Sequence, residues 1–349
     1  GRPYQFTQIN LPNEDMLDAH EIAIGAKQIT YDDGVNRQYR LAGNLDGFGP
    51  VYSTSNAKRL GDTITGLNGV LSFSSSAGDE GSSATWRVRS IITGTNTFVA
   101  ENPRPTSPAP VLNETVITGL KMAVLTAGDF FTTLPESGLG SGPEGLDPQG
   151  ASNLDEYFRQ LEKLVTGILR LDADLVGLDA TEIENEFGDQ NGDGAFAIGA
   201  LVDVLNSRSG ETHYAWVDPG LGFIGNSSTS CAFIFKQDTV TPLGSFAILD
   251  SSVDSRYNDT KSPPAIAQAF VHLDYPEECF SFTMAQLKSR EGPDCEDVGD
   301  FDTGDGQGSC NGVRLNATLA LVDWVRSDPT LQFCNFQVVG GLLHSYAME

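Results

Sequence analysis

The 349-residue sequence predicts an α+β protein: a four-layer α/β sandwich preceded by a small all-β domain. Three observations carry this expectation. Residues 1–100 show short β-branched runs that alternate apolar and polar positions between polar turns, the pattern of strands. The segment ENPRPTSPAP (101–110) holds four prolines in ten residues and reads as a stiff linker, which puts a domain boundary at 101–115. From 116 to 349, apolar strand runs alternate with amphipathic helical stretches, and strands covered by helices on their outer faces stack as layers.

In the first domain, ITYDD (29–33), YRLAG (39–43), TITGLNGVLSFS (63–74) and TWRVRSI (85–91) are the strands, and SSSAGDEGSS (74–83) is a loop. Short strands with such turn signals suit a small barrel or sandwich. In the second domain VITGLKMAVLTAG (116–128) reads as a strand pair and LPESGLGSGPEGLDPQGAS (134–152) as a long loop. Ser152 is the expected cap of a helix, with Asp155 three residues on. Leu154, Tyr157, Phe158, Leu161, Leu164, Val165, Ile168 and Leu169 recur at helical spacing up to Asp172. The strand DLVGL (174–178) follows, then a helix over Phe196–Asn206. The runs CAFIF (231–235), FAILD (246–250), AQAFVHL (267–273) and FSFTMAQL (280–287) are strands. A third helix spans Val313–Val325 with Leu315, Leu319, Leu321 and Val322 as its burying residues, and FQVVGG (336–341) is the last strand.

The formal net charge is −26. A field of that sign repels nucleic acid, whose affinity for proteins comes mainly from Lys and Arg. It does not exclude a metal-dependent nuclease, because bound divalent cations invert the local charge. No apolar run reaches the roughly 18 residues of a membrane span. Five cysteines point to an oxidising compartment, hence to secretion. Cys295 and Cys310 bracket a Gly/Asp-rich loop with little apolar content, and a disulfide there would hold it. The pairing of Cys231, Cys279 and Cys334 stays open.

Several constellations are candidate sites, each with a plainer reading beside it. Glu182 and Glu184 fall at a strand's C-terminal end, where α/β sheets place ligands; a carboxylate there holds Mg²⁺ through one oxygen plus waters or is a solvated loop acid. DQNGDG (189–194) places Asp189, Asn191 and Asp193 at the first, third and fifth positions of a calcium loop. Its twelfth position is Ala200 where a bidentate Glu would stand, so it is a looser Ca²⁺ site or an Asp/Gly-rich turn. Asp300, Asp302 and Asp305 crowd a second acidic loop, as ligands of a structural Ca²⁺ or as solvated turn acids. None of His20, His213, His272 and His344 pairs with another His or Cys at metal spacing. Asn113, Asn226, Asn258 and Asn316 begin glycosylation sequons.

The segments DFFTTL (129–134), RLDADLVGL (170–178), EIEN (182–185), VTPLGSFAILDSSVDSRYNDTK (240–261), AIAQAF (265–270), DVGDFDTGDGQGSCN (297–311) and SYAME (345–349) together resemble the secreted bacterial nucleases of the endonuclease/exonuclease/phosphatase superfamily, which have the deoxyribonuclease-I-like fold. GDTITGLNGVLSFS (61–74) with NPRP (102–105) resembles the OB-like domain that precedes that nuclease. The resemblance implies a metal-dependent phosphodiesterase in which an Asn and a Glu bind the metal, a strand His assists, an Asp-x-Asn positions water and a C-terminal His completes the site.

Carried over residue by residue, only Glu182 stands as the metal acid. The first Asn falls on Thr126, an active-site Asp on Ser227, the Arg of an Arg-Pro on Pro263 and the strand His on Gln286. The Asp-x-Asn falls within Leu342–His344, with one residue more than the family pattern, and the final His falls beyond Glu349. Asp179-Ala180 looks like an insertion ahead of Glu182. Lys288, Gln307, Asn311 and Arg314 keep the family's residues. The expectation is therefore a degenerate nuclease scaffold that serves structure, assembly or binding outside the cell. Its partners would be copies of itself or other extracellular proteins, with Mg²⁺ or Ca²⁺ as the cofactor if one is bound. The alternative is an active extracellular DNA endonuclease, for which nucleic acid would be the partner.

Overall fold

The computed structural model describes residues 5–32, 60–74, 84–89, 98–101, 119–138, 140–142, 145–182, 197–210, 213–291, 295–346 and 348. Its contacts divide the chain into two units, Gly1–Thr106 with Tyr346–Glu349, and Ser107–Ser345. Of the expected linker 101–115, only residue 101 is described.

The first unit carries α1 (Phe6–Ile9), α2 (Glu14–Gly25), β1 (Thr30–Asp32), β2 (Val70–Ser74) and β3 (Thr85–Arg89). The all-β expectation is corrected by α2. Asn13 caps this helix, its side chain accepting from the Met16 amide at 2.9 Å, and Glu14 and Asp15 face the positive end of the helix. These local signals set the helix although none of its residues is buried. The sheet order is β1-β3-β2, with β1 parallel and β2 antiparallel to β3, an open three-stranded sheet among the described residues. Val70 begins the strand expected over 63–74, and Thr63 instead bridges Val99. The expected strand 39–43 lies outside the described residues.

The second unit contains β4 (Met122–Phe130), α3 (Leu154–Leu171), β5 (Leu175–Glu182), α4 (Ala197–Ser209), β6 (Tyr214–Trp216), β7 (Thr229–Lys236), β8 (Val240–Leu249), β9 (Ala265–His272), β10 (Tyr275–Gln286), α5 (Asn311–Arg326) and β11 (Phe336–Leu342). They make two four-stranded sheets, β4-β5-β7-β6 and β11-β10-β9-β8. The β4–β5 and β10–β11 pairs are parallel and the remaining pairs antiparallel.

The sheets lie face to face, and two glycines let them approach. A Cβ on Gly177 of β5 would lie 2.4 Å from Met284 Sδ and 2.8 Å from Phe282 Cζ of β10. A Cβ on Gly340 of β11 would lie 2.4 Å from Val124 Cγ2 of β4. Ring contacts give the relative direction. Phe235, level with Leu175, meets Phe270, level with Phe280; Phe233, level with Gly177, meets Phe282. β5 and β10 therefore run the same way, and the C-terminal ends of β4, β5, β10 and β11 share one end of the sandwich.

Helices cover both outer faces. α3 buries Leu161, Leu164, Val165 and Ile168 in the same core as Leu201 and Leu205 of α4, while Leu154 and Phe158 stay exposed. Its cap is Asn153 rather than Ser152: Asn153 Oδ1 accepts from the Glu156 amide at 3.0 Å, and Glu156 accepts from the Ser152 amide at 3.0 Å. This is the reciprocal capping arrangement displaced by one residue. α4 runs one turn past the expected end, because the Asn206 side chain receives the His213 and Tyr214 amides and joins the helix to the unanticipated β6.

On the opposite sheet α5 buries Val313, Arg314, Ala317, Ala320, Leu321 and Trp324. Leu315, Leu319 and Val322, expected inside, are exposed. The sheet beneath is lined by Ala265, Ala267 and Ala285, and Ala317 and Ala320 allow close approach to it. The expected strand pair at 116–128 is one strand, β4, over its described part, and residues 116–118 lie outside the described residues.

Candidate functional site at the shared end of the two sheets

Side chains alternate along each strand, so the residues two positions past the Val124–Gly340 and Gly177–Met284 contacts again face the space between the sheets. These are Thr126 on β4, Asp179 on β5, Gln286 on β10 and Leu342 on β11. In-sheet register agrees, with Thr126 opposite Asp179 and Gln286 opposite Leu342. Ser227 stands in the turn leading into β7, whose Thr229 pairs with Glu182 at the end of β5. The positions singled out from the sequence on five separate segments thus converge at one end of the sandwich.

Three hydrogen bonds fix the backbone around this end. The Leu287 amide donates to the Leu342 carbonyl at 2.9 Å, and the Lys288 amide donates to Ser262 Oγ at 2.9 Å. Tyr257, fully buried, donates to the Pro263 carbonyl at 2.7 Å. Past β11, His344 takes a left-handed backbone (φ 53°). Burial, followed by the positive charges of Arg314 and Arg290, pushes its imidazole below the usual histidine range.

Asp179 is the residue whose importance sequence reasoning missed. It is fully buried, and neither carboxylate oxygen makes a hydrogen bond of ordinary geometry, the Thr126 hydroxyl being the polar group that acts on it. It sits at a bulge: between Leu178 and Thr181 β5 carries one residue more than β7, and β4 carries two more than β5 between Thr126 and Phe130. The bulge falls on Asp179-Ala180, and bulges beside sites re-aim side chains. Burial pushes the Asp179 carboxyl up; the Thr126 hydroxyl opposes this and the Asp129 charge adds to it. Asp129 has a left-handed backbone (φ 55°), and loss of surrounding water raises its carboxyl as well. The available signal was an acid at inward parity (Leu175, Gly177, Asp179) directly after an apolar strand run.

The retained loop residues have structural partners. The buried Arg314 guanidinium donates to the carbonyls of Ser309 at 2.6 Å and Gln307 at 2.8 Å, and Asn311 donates to Gln307 Oε1 at 2.8 Å. The disulfide Cys295–Cys310 closes this loop, and Cys279–Cys334 is a second disulfide; Cys231 is free and buried. Asp300 receives the Val313 amide at 2.7 Å near the start of α5, Asp302 receives the Gly304 amide, and Asp305 receives the Gln307 amide and side chain. Each of the three thus serves its own turn. Asp189, Asn191 and Asp193 lie outside the described residues. Among the described residues no three carboxylate, imidazole or thiolate groups gather as a metal centre. His272 ends β9, its Nδ1 accepting from the Asp274 amide at 3.1 Å.

For the divalent metal that the resemblance implies, the residues fit in part. The buried Asp179 carboxylate and the Thr126 hydroxyl stand at the shared sheet end, Glu182 is the last residue of β5, and Leu342 offers no donor.

No family model and no curated protein matches the chain. Among solved structures, the human Nocturnin catalytic domain with bound sulfate matches at 16% identity and TM-score 0.35, over 56% of this chain and 59% of that one. A humanized D. rerio TDP2 matches at 8% and 0.37, over 65% and 63%. An endonuclease/exonuclease/phosphatase family protein from Bacteroides thetaiotaomicron matches at 10% and 0.36, over 64% and 63%. The chain therefore spans about six-tenths of the length of these structures. Its own geometry defines the class: two sheets face to face between helical layers, with a polar site at one end.

Proposed function

We propose that this chain is a catalytically degenerate member of the endonuclease/exonuclease/phosphatase superfamily, secreted, and serving assembly or binding rather than phosphodiester cleavage. The observation that supports it most is the set of side chains at the shared sheet end: Thr126, Ser227, Gln286 and Leu342. None of them can act as a general base or acid near neutral pH. Losing one positioned proton-transfer group typically costs about 10²–10⁴-fold, and members of one catalytic unit do not act independently. The two disulfides support an oxidising, extracellular setting.

His344 is the imidazole at this end. Burial and its cationic neighbours hold it neutral, and it lies past β11 rather than on β10. A bound divalent ion would supply charge stabilisation to a phosphate. Of the residues at the four strand ends, Gln286 and Thr126 add hydrogen bonding but neither takes up nor delivers a proton near neutral pH.

The test is incubation with supercoiled plasmid in Mg²⁺ plus Ca²⁺, with an EDTA control. The plasmid is expected to stay supercoiled in both arms; rapid nicking that EDTA abolishes rejects the proposal.

A further inference from the structure

We infer that the outer face of α5 docks a second copy of this chain, with the two α5 helices packed antiparallel about a two-fold axis. This names a partner for the assembly role proposed above and rests on that part of it. It does not depend on the loss of catalysis.

α5 is apolar on two opposite sides. Ala317, Ala320, Leu321 and Trp324 are buried on the side that meets the alanine-lined sheet. On the other side Leu315, Leu319 and Val322 are 55%, 47% and 40% exposed, and the exposed Arg326 ends the row. The solvent side of a surface helix normally carries polar residues. These four positions are spaced four, three and four apart, the a/d repeat of a two-helix seam. Leu315 and Val322 take d, and Leu319 and Arg326 take a. Ala317 and Trp324 then fall at f, directly opposite the seam, and both are buried against the sheet.

The charges select the partner and its direction. Two chains of net charge −26 repel one another, so they meet where acids are few. The seam itself has none, and Asp323 beside it is held by Arg256 at 2.8 Å. A parallel pair would set Arg326 against its own copy. In an antiparallel pair a meets d: Leu319 packs on Val322 of the second copy, and the stem of Arg326 lies over Leu315 of the second copy. The next a position beyond Leu315 is Gly312, about 4.5 Å along the axis. There the Asp300 carboxylate takes the place of a side chain: a Cβ on Gly312 would lie 3.3 Å from Asp300 Oδ2, and Asp300 accepts from the Val313 amide at 2.7 Å. The antiparallel pair thus brings each Arg326 guanidinium to the other copy's Asp300. A contact of one helix pair is small, so the dimer is weak and concentration-dependent.

The experiment is sedimentation velocity of the full chain from about 1 to about 100 μM, in about 0.15 M KCl to screen general repulsion. Wild type is compared with Leu319→Glu, an exposed substitution whose fold is checked by circular dichroism. The expected result is a monomer–dimer equilibrium in wild type whose association constant falls by about 10- to 100-fold in the variant. Direction is read separately on non-reducing gels after mild oxidation. Leu315→Cys chains mixed with Arg326→Cys chains should give a disulfide-linked dimer, and neither variant alone should.

A wild type that stays monomeric throughout overturns the inference, as it would if lipid or an unlike protein covers the stripe. Self-association that Leu319→Glu leaves unchanged overturns it too, while sparing the broader assembly role. Linked dimers in each cysteine variant alone reject the antiparallel pair. Plasmid incubation of the same samples keeps the two readings apart: cleavage by a chain with stripe-dependent dimers removes the inert reading and leaves this one, and intact plasmid with a monomeric chain does the reverse.

Discussion

Tyr257 and His344 show how single side chains at the site tie stability to local chemistry. The Tyr257 hydroxyl is fully buried against the Pro263 carbonyl, so Tyr257→Phe leaves that carbonyl unsatisfied. A loss of about 1–3 kcal/mol is expected in urea unfolding, with unchanged slope. His344 is held below its ordinary value by burial and by Arg314 and Arg290. Its unfolded form binds a proton more readily than its folded form, so stability is full above the unfolded value of about 6.5 and declines as pH falls through it. His344→Gln should flatten the melting temperature between about pH 7 and pH 5; an unchanged slope would mean that other groups carry it. The strand-end positions of Gln286 and Leu342 were legible from the apolar strand runs that precede them; that they stand in for reactive residues is what the resemblance implies. Asp179 was legible only as an insertion, since burial is a property of packing, not of residue type.

Among the elements, α3 and α5 make opposite cases. The α3 stripe of Leu161, Leu164, Val165 and Ile168 was readable because large apolar residues at helical spacing make one face. The span of α5 was readable but its buried face was not. Ala317, Ala320 and Trp324 are inside and Leu315, Leu319 and Val322 outside, because a sheet surface of alanines favours the side of the helix that can come closest. Between the sheets, Gly177 permits contact with Met284 and Phe282. Gly177→Ala should cost about 1–3 kcal/mol by overpacking, and Met284→Ala in the same chain should recover part of it. Additive losses in that double variant would contradict the packing assigned here. The loop ahead of α5 is closed by Cys295–Cys310 across 15 residues, and Ala at both positions should lower stability by about 3 kcal/mol. That loop's Gly/Asp content and its two cysteines made the staple legible. The pairing of Cys279 with Cys334, 55 residues apart, needed the fold that brings β10 and the segment before β11 together.

The whole molecule combines a second unit in which strand and helix signals reinforce one another with a first unit in which they do not. The all-β reading of residues 1–100 failed at α2, where a capping Asn and two acids outweigh a stretch with no buried residue. In the second unit, Thr126, Asp179, Gln286 and Leu342 meet at one end of the sandwich because β4, β5, β10 and β11 all run toward it. What converges is a set of neutral side chains around a buried acid. The most direct test is single-turnover cleavage of a labelled DNA duplex by excess protein in saturating Mg²⁺, since it removes binding and product release from the rate. The rate is expected to equal that of the EDTA control. A faster rate that disappears in Glu182→Gln would show a working metal-dependent hydrolase and contradict the account.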